Sequence, residues 1–402
     1  MSEIKKLIER LCPDGVEYKR IDSLFETFSG MTGVSDKWKE TGNCQFIDYL
    51  NVYNNMRVDV KNLPFATVKN PQQNTLQKGD ILLTCASETP DECAMSSVIR
   101  DDINEGIFLD DHLFAIRLKS EHKNIVNTAF LNYYMHSSAF RIQVCKKVRG
   151  VTRFYITGKP FMSLEIPVPP IEVQSKIVEM LDNFTELEAQ LESELEARRK
   201  QYEYYRNQLL TFDKVGGARF DAKWMKLGDV CKIYTGGEAP TNHVKGNYPT
   251  GEMKYPIWAN GREIYGYSDT YKIEEDAVCI SSIGANAGDV FYHEGFFTPI
   301  IRLKVIIPKE TSLNIRYLFH ILSVKKMTVK KSSVPNINAN EIKGLIIPIP
   351  PLSEQQRIVS ILDRFEALTT DLQSGLPAEI EARRKQYEYY REKLLTFKRK
   401  TA

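Results

Sequence analysis

The chain has 402 residues, 42% hydrophobic and 26% charged, with 54 Lys and Arg against 52 Asp and Glu. That composition excludes a low-complexity or disordered chain and supplies material for two or more cores. No apolar run reaches the ~18–20 residues of a membrane span, and the charged start MSEIKKLIER lacks a signal peptide's apolar stretch. Seven cysteines without a C-x-x-C pair suit a reducing cytoplasm better than a disulfide framework or a zinc site.

In chain order, residues 1–165 read as a mixed α/β globular segment. Asp80-Ile-Leu-Leu-Thr84 is strand-like, and 125–136 has helical spacing. Residues 166–213 then read as one long helix. Pro169-Pro170 mark its start, and Val173, Ile177, Met180, Phe184, Leu187, Leu191, Leu195, Tyr202, Tyr205 and Leu209 form a narrow apolar stripe. Residues 214–346 form a second α/β segment, with a strand at Ala277–Ile280, the Gly-punctuated turn SSIGANAGDV and a helix at 315–322. Residues 347–402 repeat the long helix, with its stripe at Ile358, Ile361, Phe365, Leu368 and Leu372. Gly375 and Pro377 predict a break before Ile380.

The helical segments are copies. IPVPPIEVQSKIVEMLDNF (166–184) matches IPIPPLSEQQRIVSILDRF (347–365), EARRKQYEYYR stands at both 196–206 and 381–391, and LLTF at 209–212 and 394–397. The globular segments echo each other faintly, so the plan is A–B–A′–B′, a duplication rather than a solenoid. Two narrow stripes in one chain most simply bury each other, which predicts an antiparallel coiled coil.

Charge is local. Between Glu121 and Glu165 the charged residues are all basic, Lys123, Arg141, Lys146, Lys147, Arg149, Arg153 and Lys159. Between Glu310 and Glu341 stand Arg316, Lys325, Lys326, Lys330 and Lys331. Acid-free basic segments at matching places point to phosphate contact. Gly150, Thr152, Phe154, Tyr155 and Thr157, and then Asn336, Asn338 and Asn340, are base-edge candidates. No phosphate loop, dinucleotide fingerprint, nucleophile elbow or paired metal ligands occur in the sequence.

IPxPPxxxQxxIVxxLDxF followed by EARRKQYEYYR and LLTF, in duplicate and in order, resembles the specificity subunit of type I restriction–modification enzymes over essentially the whole chain. The resemblance implies a non-catalytic DNA-binding subunit of a cytoplasmic complex. Its two target-recognition domains (1–165 and 214–346) would each read half of a split site, separated by two antiparallel helices (166–213 and 347–402). It further implies two adenine-methylating subunits as partners, with restriction subunits in the full enzyme. No cofactor is expected in this chain; S-adenosylmethionine and ATP with magnesium would sit on the partners. The DNA contacts would be Arg141, Lys146, Lys147, Arg149, Arg153, Lys325, Lys326, Lys330, Lys331, Asn336 and Asn338. The partner contacts would be Arg198, Arg199, Tyr204 and Arg206, with Arg383, Arg384, Tyr389 and Arg391 in the second copy. The alternatives are a related two-component recognition subunit, a protein-binding coiled-coil scaffold, and a stand-alone nuclease or methyltransferase.

Overall fold

A computed structural model describes residues 2–39, 41–70, 72–212, 222–284, 286–325, 336–370 and 374–400. The chain divides into two compact units, Met1–Gln190 with Ile380–Ala402, and Leu191–Glu379.

In the first unit the apolar run Ile81–Thr84 is an inner strand of a four-stranded antiparallel sheet, ordered Phe25–Ser29, Leu113–Leu118, Ile81–Thr84, Ser96–Val98. The run does not alternate with polar residues because both of its faces are covered. Ile81 and Leu83 face the cluster of the helices Thr128–Met135 and Ser138–Cys145, whereas Leu82 joins Ala115 and Leu113 in a second cluster. A further sheet follows the order Val34–Lys39, Phe65–Val68, Cys44–Ile47, Ile107–Leu109, its last pair parallel.

The second unit repeats both sheets in the same order. One is Cys231–Thr235, Lys304–Pro308, Ala277–Ile280, Val290–His293; the other is His243–Lys245, Ile264–Ser268, Tyr255–Trp258, Thr298–Pro299. Val278 and Ile280 face one cluster, Ala277 and Cys279 the other. In each unit a short antiparallel ribbon joins the domain's first strand to the strand before the long helix. The ribbons are Tyr18–Arg20 with Glu165–Pro167, and Lys223–Lys226 with Ile346–Ile349.

The first repeat helix is unbroken over Ile171–Leu210, about 60 Å of rise. The second is two helices, Leu352–Thr370 and Leu376–Leu394, with Gly375 and Pro377 at the break. Neither repeat is a body of its own. The division between units falls at 190/191 and 379/380, inside both helices. The physical reason is that each apolar stripe runs on into a domain core. Val173, Ile177, Val178 and Leu181 share one cluster with Leu394, Leu395 and Phe397, while Leu210, Ile358 and Leu362 share the other. At the helix starts the apolar surface is therefore wider than one seam, since Val178, Leu181 and Leu362 dock the domain. Leu368, read as seam, is 37% exposed, and Leu372 lies outside the described residues.

Candidate nucleic-acid and partner interfaces

The repeated motif fastens each helix to its own domain through two polar residues. Gln174 and Gln355 are both buried. Gln174 Oε1 accepts from the Asn127 N–H at 2.8 Å, while its Nε2 donates to the Ile125 and Pro169 carbonyls at 2.8 and 2.7 Å. Gln355 does the same for Asn314 N–H (2.8 Å), Ser312 O (3.0 Å) and Pro350 O (2.8 Å). Asn127 and Asn314 are themselves the N-caps of the helices Thr128–Met135 and Ile315–Ser323. One side chain thus ties the helix start, the loop before it and a domain helix together.

The aspartate of LDxF is the second fastener. Asp182 accepts two 2.6 Å bonds from the Arg100 guanidinium and one at 2.7 Å from the Tyr133 hydroxyl. Asp363 accepts from Arg316 at 2.8 Å and from His320 Nε2 at 2.6 Å. Burial raises both carboxyls, but these donors more than reverse it and leave each below its ordinary range. Burial lowers the His320 imidazole and Asp363 recovers only part of that, so it is neutral at pH 7.

Buried imidazoles give both units a pH dependence, since burial also pushes His136 of the first unit down to about 4. Burial pushes His293 down to about 4, and His320 is also lowered. Their unfolded pKa is about 6.5. Protons therefore bind the unfolded state first, and the contribution is complete above about pH 6.5 and lost toward pH 4. His293 alone is worth about 3 kcal/mol over that window. Urea unfolding at pH 7 and pH 5, with hydrogen exchange to separate the units, should show both losing stability, the first through His136 and the second through His293 and His320; a flat profile would exclude it.

Two of the three tyrosines of EARRKQYEYYR are seam in both copies, Tyr202 and Tyr205 and then Tyr387 and Tyr390. Tyr205 stacks on Phe365 with ring centroids 5.6 Å apart and 28° between planes, and Tyr390 stacks on Phe184 at 5.5 Å and 26°. Within the first unit the pairing is antiparallel, because Phe184 meets Tyr387 and Tyr390 while Glu188 binds Arg384 at 2.6 Å. Arg206 and Arg391, expected to point away, lie with the seam. Their guanidinium carbons sit 5.3 and 5.7 Å from the Tyr202 and Tyr387 ring centres, and both Nε atoms are buried. Helical phase alone misplaces them, because a long side chain folds back over the ring four residues earlier.

Arg198 and Arg383 bind Gln201 and Gln386, both at 3.1 Å. Arg199 and Arg384 are exposed. Tyr204 and Tyr389 are 58% and 59% exposed, each edge-on to the next tyrosine at 5.5 and 5.3 Å. Both rings stand toward solvent on a matching tyrosine edge, but their hydroxyls accept from different neighbours, Gln208 Nε2 at 2.7 Å for Tyr204 and Lys393 Nζ at 3.2 Å for Tyr389.

In the first domain the basic segment forms a hairpin. Arg149 and Tyr155 exchange backbone hydrogen bonds of 3.0 and 2.8 Å. Gly150 has φ +123°, and a Cβ there would lie 2.0 Å from the Arg153 carbonyl oxygen, so the turn demands glycine. Lys146, Lys147, Arg149 and Arg153 are exposed, and none forms an ion pair with a described residue.

Three expected DNA contacts are placed differently. Arg141 turns inward and donates to the Asp91, Cys93 and Ala94 carbonyls, and burial lowers its pKa. Lys325 donates to the Ile346 carbonyl. Asn338 caps the helix Ala339–Lys343 in a capping box with Glu341, which occupies its carboxamide oxygen. Sequence cannot separate these from free side chains, because their partners are backbone atoms, carbonyls for Arg141 and Lys325 and the Glu341 N–H for Asn338. Asn336 is exposed beside a bridge to Ile283. Lys326, Lys330 and Lys331 lie outside the described residues.

The profile of the family described as "Type I restriction modification DNA specificity domain" matches residues 13–197 and 221–382. The chain belongs to the type I restriction–modification specificity family. Its members are specificity components and not the catalytic ones. This specificity subunit is 35% identical over 276 residues to the EcoR124I/EcoR124II specificity subunit of Escherichia coli, covering 61% of this chain and 66% of that one. It is 33% identical over 316 residues to the putative type I specificity subunit S.MpnORF89P of Mycoplasma pneumoniae, covering 74% and 84%. Its fold is similar to the crystal structure of a type I restriction–modification S subunit from M. genitalium, with a TM-score of 0.59, 17% identity, and 95% and 96% of the two chains covered. No helix among the described residues is long and apolar enough to cross a membrane.

Proposed function

We propose that this specificity subunit reads a bipartite DNA target, one half-site per domain, and presents it to two adenine-methyltransferase subunits docked on the two copies of EARRKQYEYYR. The observation that carries this is the duplicate geometry: Tyr204 and Tyr389 stand equally exposed on equivalent packing while the domains around them differ in sequence. One partner protein binding twice requires the same side chains twice, and tyrosine with arginine is the pairing that dominates such contacts. Arg198, Arg199, Arg383 and Arg384 flank these rings. The repeat helices set the half-site spacing. Restriction subunits complete the complex, which works in the cytoplasm, and S-adenosylmethionine and ATP with magnesium belong to the partners. In this chain Lys146, Lys147, Arg149 and Arg153 hold phosphates and fix the register of the first domain on DNA. Lys326, Lys330 and Lys331 take that part in the second, with Asn336 toward base edges.

Two measurements test the reading. Co-expression with the methyltransferase and mapping of methylated adenines should return a split motif, and exchanging residues 1–165 for those of a relative should change one half only. In the assembled complex, Lys146→Ala with Lys147→Ala should weaken every DNA sequence alike and lower the salt slope by about 2. Relaxed specificity at a single base would instead make them base readers.

A further inference from the structure

The two domains share their strand order but treat one sheet edge differently. In the first, Leu82 pairs with Ser97 and Ala115; in the second, Cys279 pairs with Phe291 and Val305. The ladders therefore make Val98 and Tyr292 equivalent positions on the edge strands Ser96–Val98 and Val290–His293. Val98 is covered by the chain's own backbone. Its N–H donates to the Met56 carbonyl at 3.3 Å, its carbonyl accepts from the Val58 N–H at 3.1 Å, and Arg57 bridges it in parallel. That cover comes from residues 48–64, the connection between Cys44–Ile47 and Phe65–Val68. In the second domain the same connection is only 259–263. Among the described residues no segment pairs with the outer edge of Val290–His293.

A groove of about 1110 Å³ lies along that bare edge. On its floor Trp258 stacks on His293, with centroids 4.0 Å apart and 15° between planes. His293 is 7% exposed, and its buried Nε2 has no partner among the described residues. Phe296, with φ +62° and 46% exposed, forms an apolar lip on Tyr271. A bulky residue pinned in the left-handed region at a groove rim is strain of the kind found at binding sites.

The charges say what the groove takes. Asp363 and Glu366 are bound to Arg316, Asp289 pairs with Arg262 at 3.8 Å, and Lys254 lies over the Tyr255 ring. Glu294 is the one lining carboxylate without an ion pair among the described residues. In the first domain the covering segment is apolar–basic–apolar, Met56-Arg57-Val58, and Arg57 Nε donates to Asp101 at 3.0 Å beyond the edge strand. We propose that the edge Val290–His293 is a docking site for an extended segment of a partner polypeptide. The segment adds as a parallel fifth strand, sets a large apolar side chain on the Trp258–His293 floor and directs a basic side chain to Glu294. Main-chain bonds at Tyr292 give affinity, and the floor and Glu294 give selectivity. The site does not depend on how the domain reads DNA.

The test is a nine-residue peptide display library selected on the full chain and counter-selected on the Glu294→Lys variant, whose changed side chain is exposed. An apolar–basic–apolar core should be enriched. The selected peptides should bind the natural chain at least tenfold more tightly than the variant and should slow exchange of the Tyr292 amide, which the ladder directs outward. The proposal is overturned if no peptide distinguishes the two proteins or if bound peptides leave the Tyr292 amide unprotected. It is also overturned if that amide is already protected in the free chain, or if duplex DNA alone protects it.

Discussion

Gln355→Met is expected to destabilise the second unit by about 2–4 kcal/mol while leaving the first unchanged, and Gln174→Met should do the reverse. The change keeps the length of the side chain and removes its polar atoms. It leaves the Asn314 N–H and the Ser312 and Pro350 carbonyls without the partner they have now. A buried group so deprived costs about 1–3 kcal/mol, and part of the three is recovered by water at the half-exposed loop. The loss should be read at the residues concerned. Amide exchange in the helix Ile315–Ser323 should accelerate on Gln355→Met, with no change in Thr128–Met135. Equal acceleration in both helices would mean that the glutamine acts on the fold as a whole and does not fasten one helix to one domain.

The second large effect concerns assembly. Tyr204→Ala and Tyr389→Ala should each weaken one partner site by about 2 kcal/mol or more, roughly 30-fold, the range of an exposed tyrosine that becomes an interface anchor. Neither ring is buried in this chain, so stability should move by less than about 0.5 kcal/mol. Each single variant should form complexes with one methyltransferase in place of two, and the double variant none, as native mass spectrometry would count them. If both singles retain two partners, the repeated tyrosines are surface residues only. Arg206→Ala and Arg391→Ala make an informative contrast. Their guanidinium groups lie on Tyr202 and Tyr387, so those changes should lower stability before they touch assembly.

Much of the plan was readable from the chain alone. The duplicate motifs gave the A–B–A′–B′ order, and the break at Gly375 and Pro377 followed from their backbone chemistry. The helical spacing of Phe184 and Phe365 against the later tyrosines announced the seam. The apolar runs at Ile81–Thr84 and Ala277–Ile280 correctly read as strands. The roles of single polar residues were much less legible. Gln174 and Gln355 stood in the quoted motif, yet two of the three partners of each are backbone groups of loops some 40–50 residues away. The two aspartates of LDxF are matched in sequence, but their guanidinium donors are not. Arg100 follows an edge strand, whereas Arg316 stands in a helix. No pattern search pairs residues that the two domains supply from different elements.

By itself, then, the sequence determined the duplication, the long helices with the break in the second, and which side chains recur. These depend on periodicity, turn chemistry and exact recurrence, all of which are local. Only the tertiary structure decided which charges are free. It turned Arg141 and Lys325 toward backbone carbonyls and Asn338 toward a backbone N–H, left Lys146, Lys147, Arg149 and Arg153 in solvent, and covered one sheet edge while leaving its equivalent bare. The reason is the same in each case. A polar side chain's role is fixed by whichever donor or acceptor the fold brings within about 3 Å, and that neighbour is usually remote in sequence.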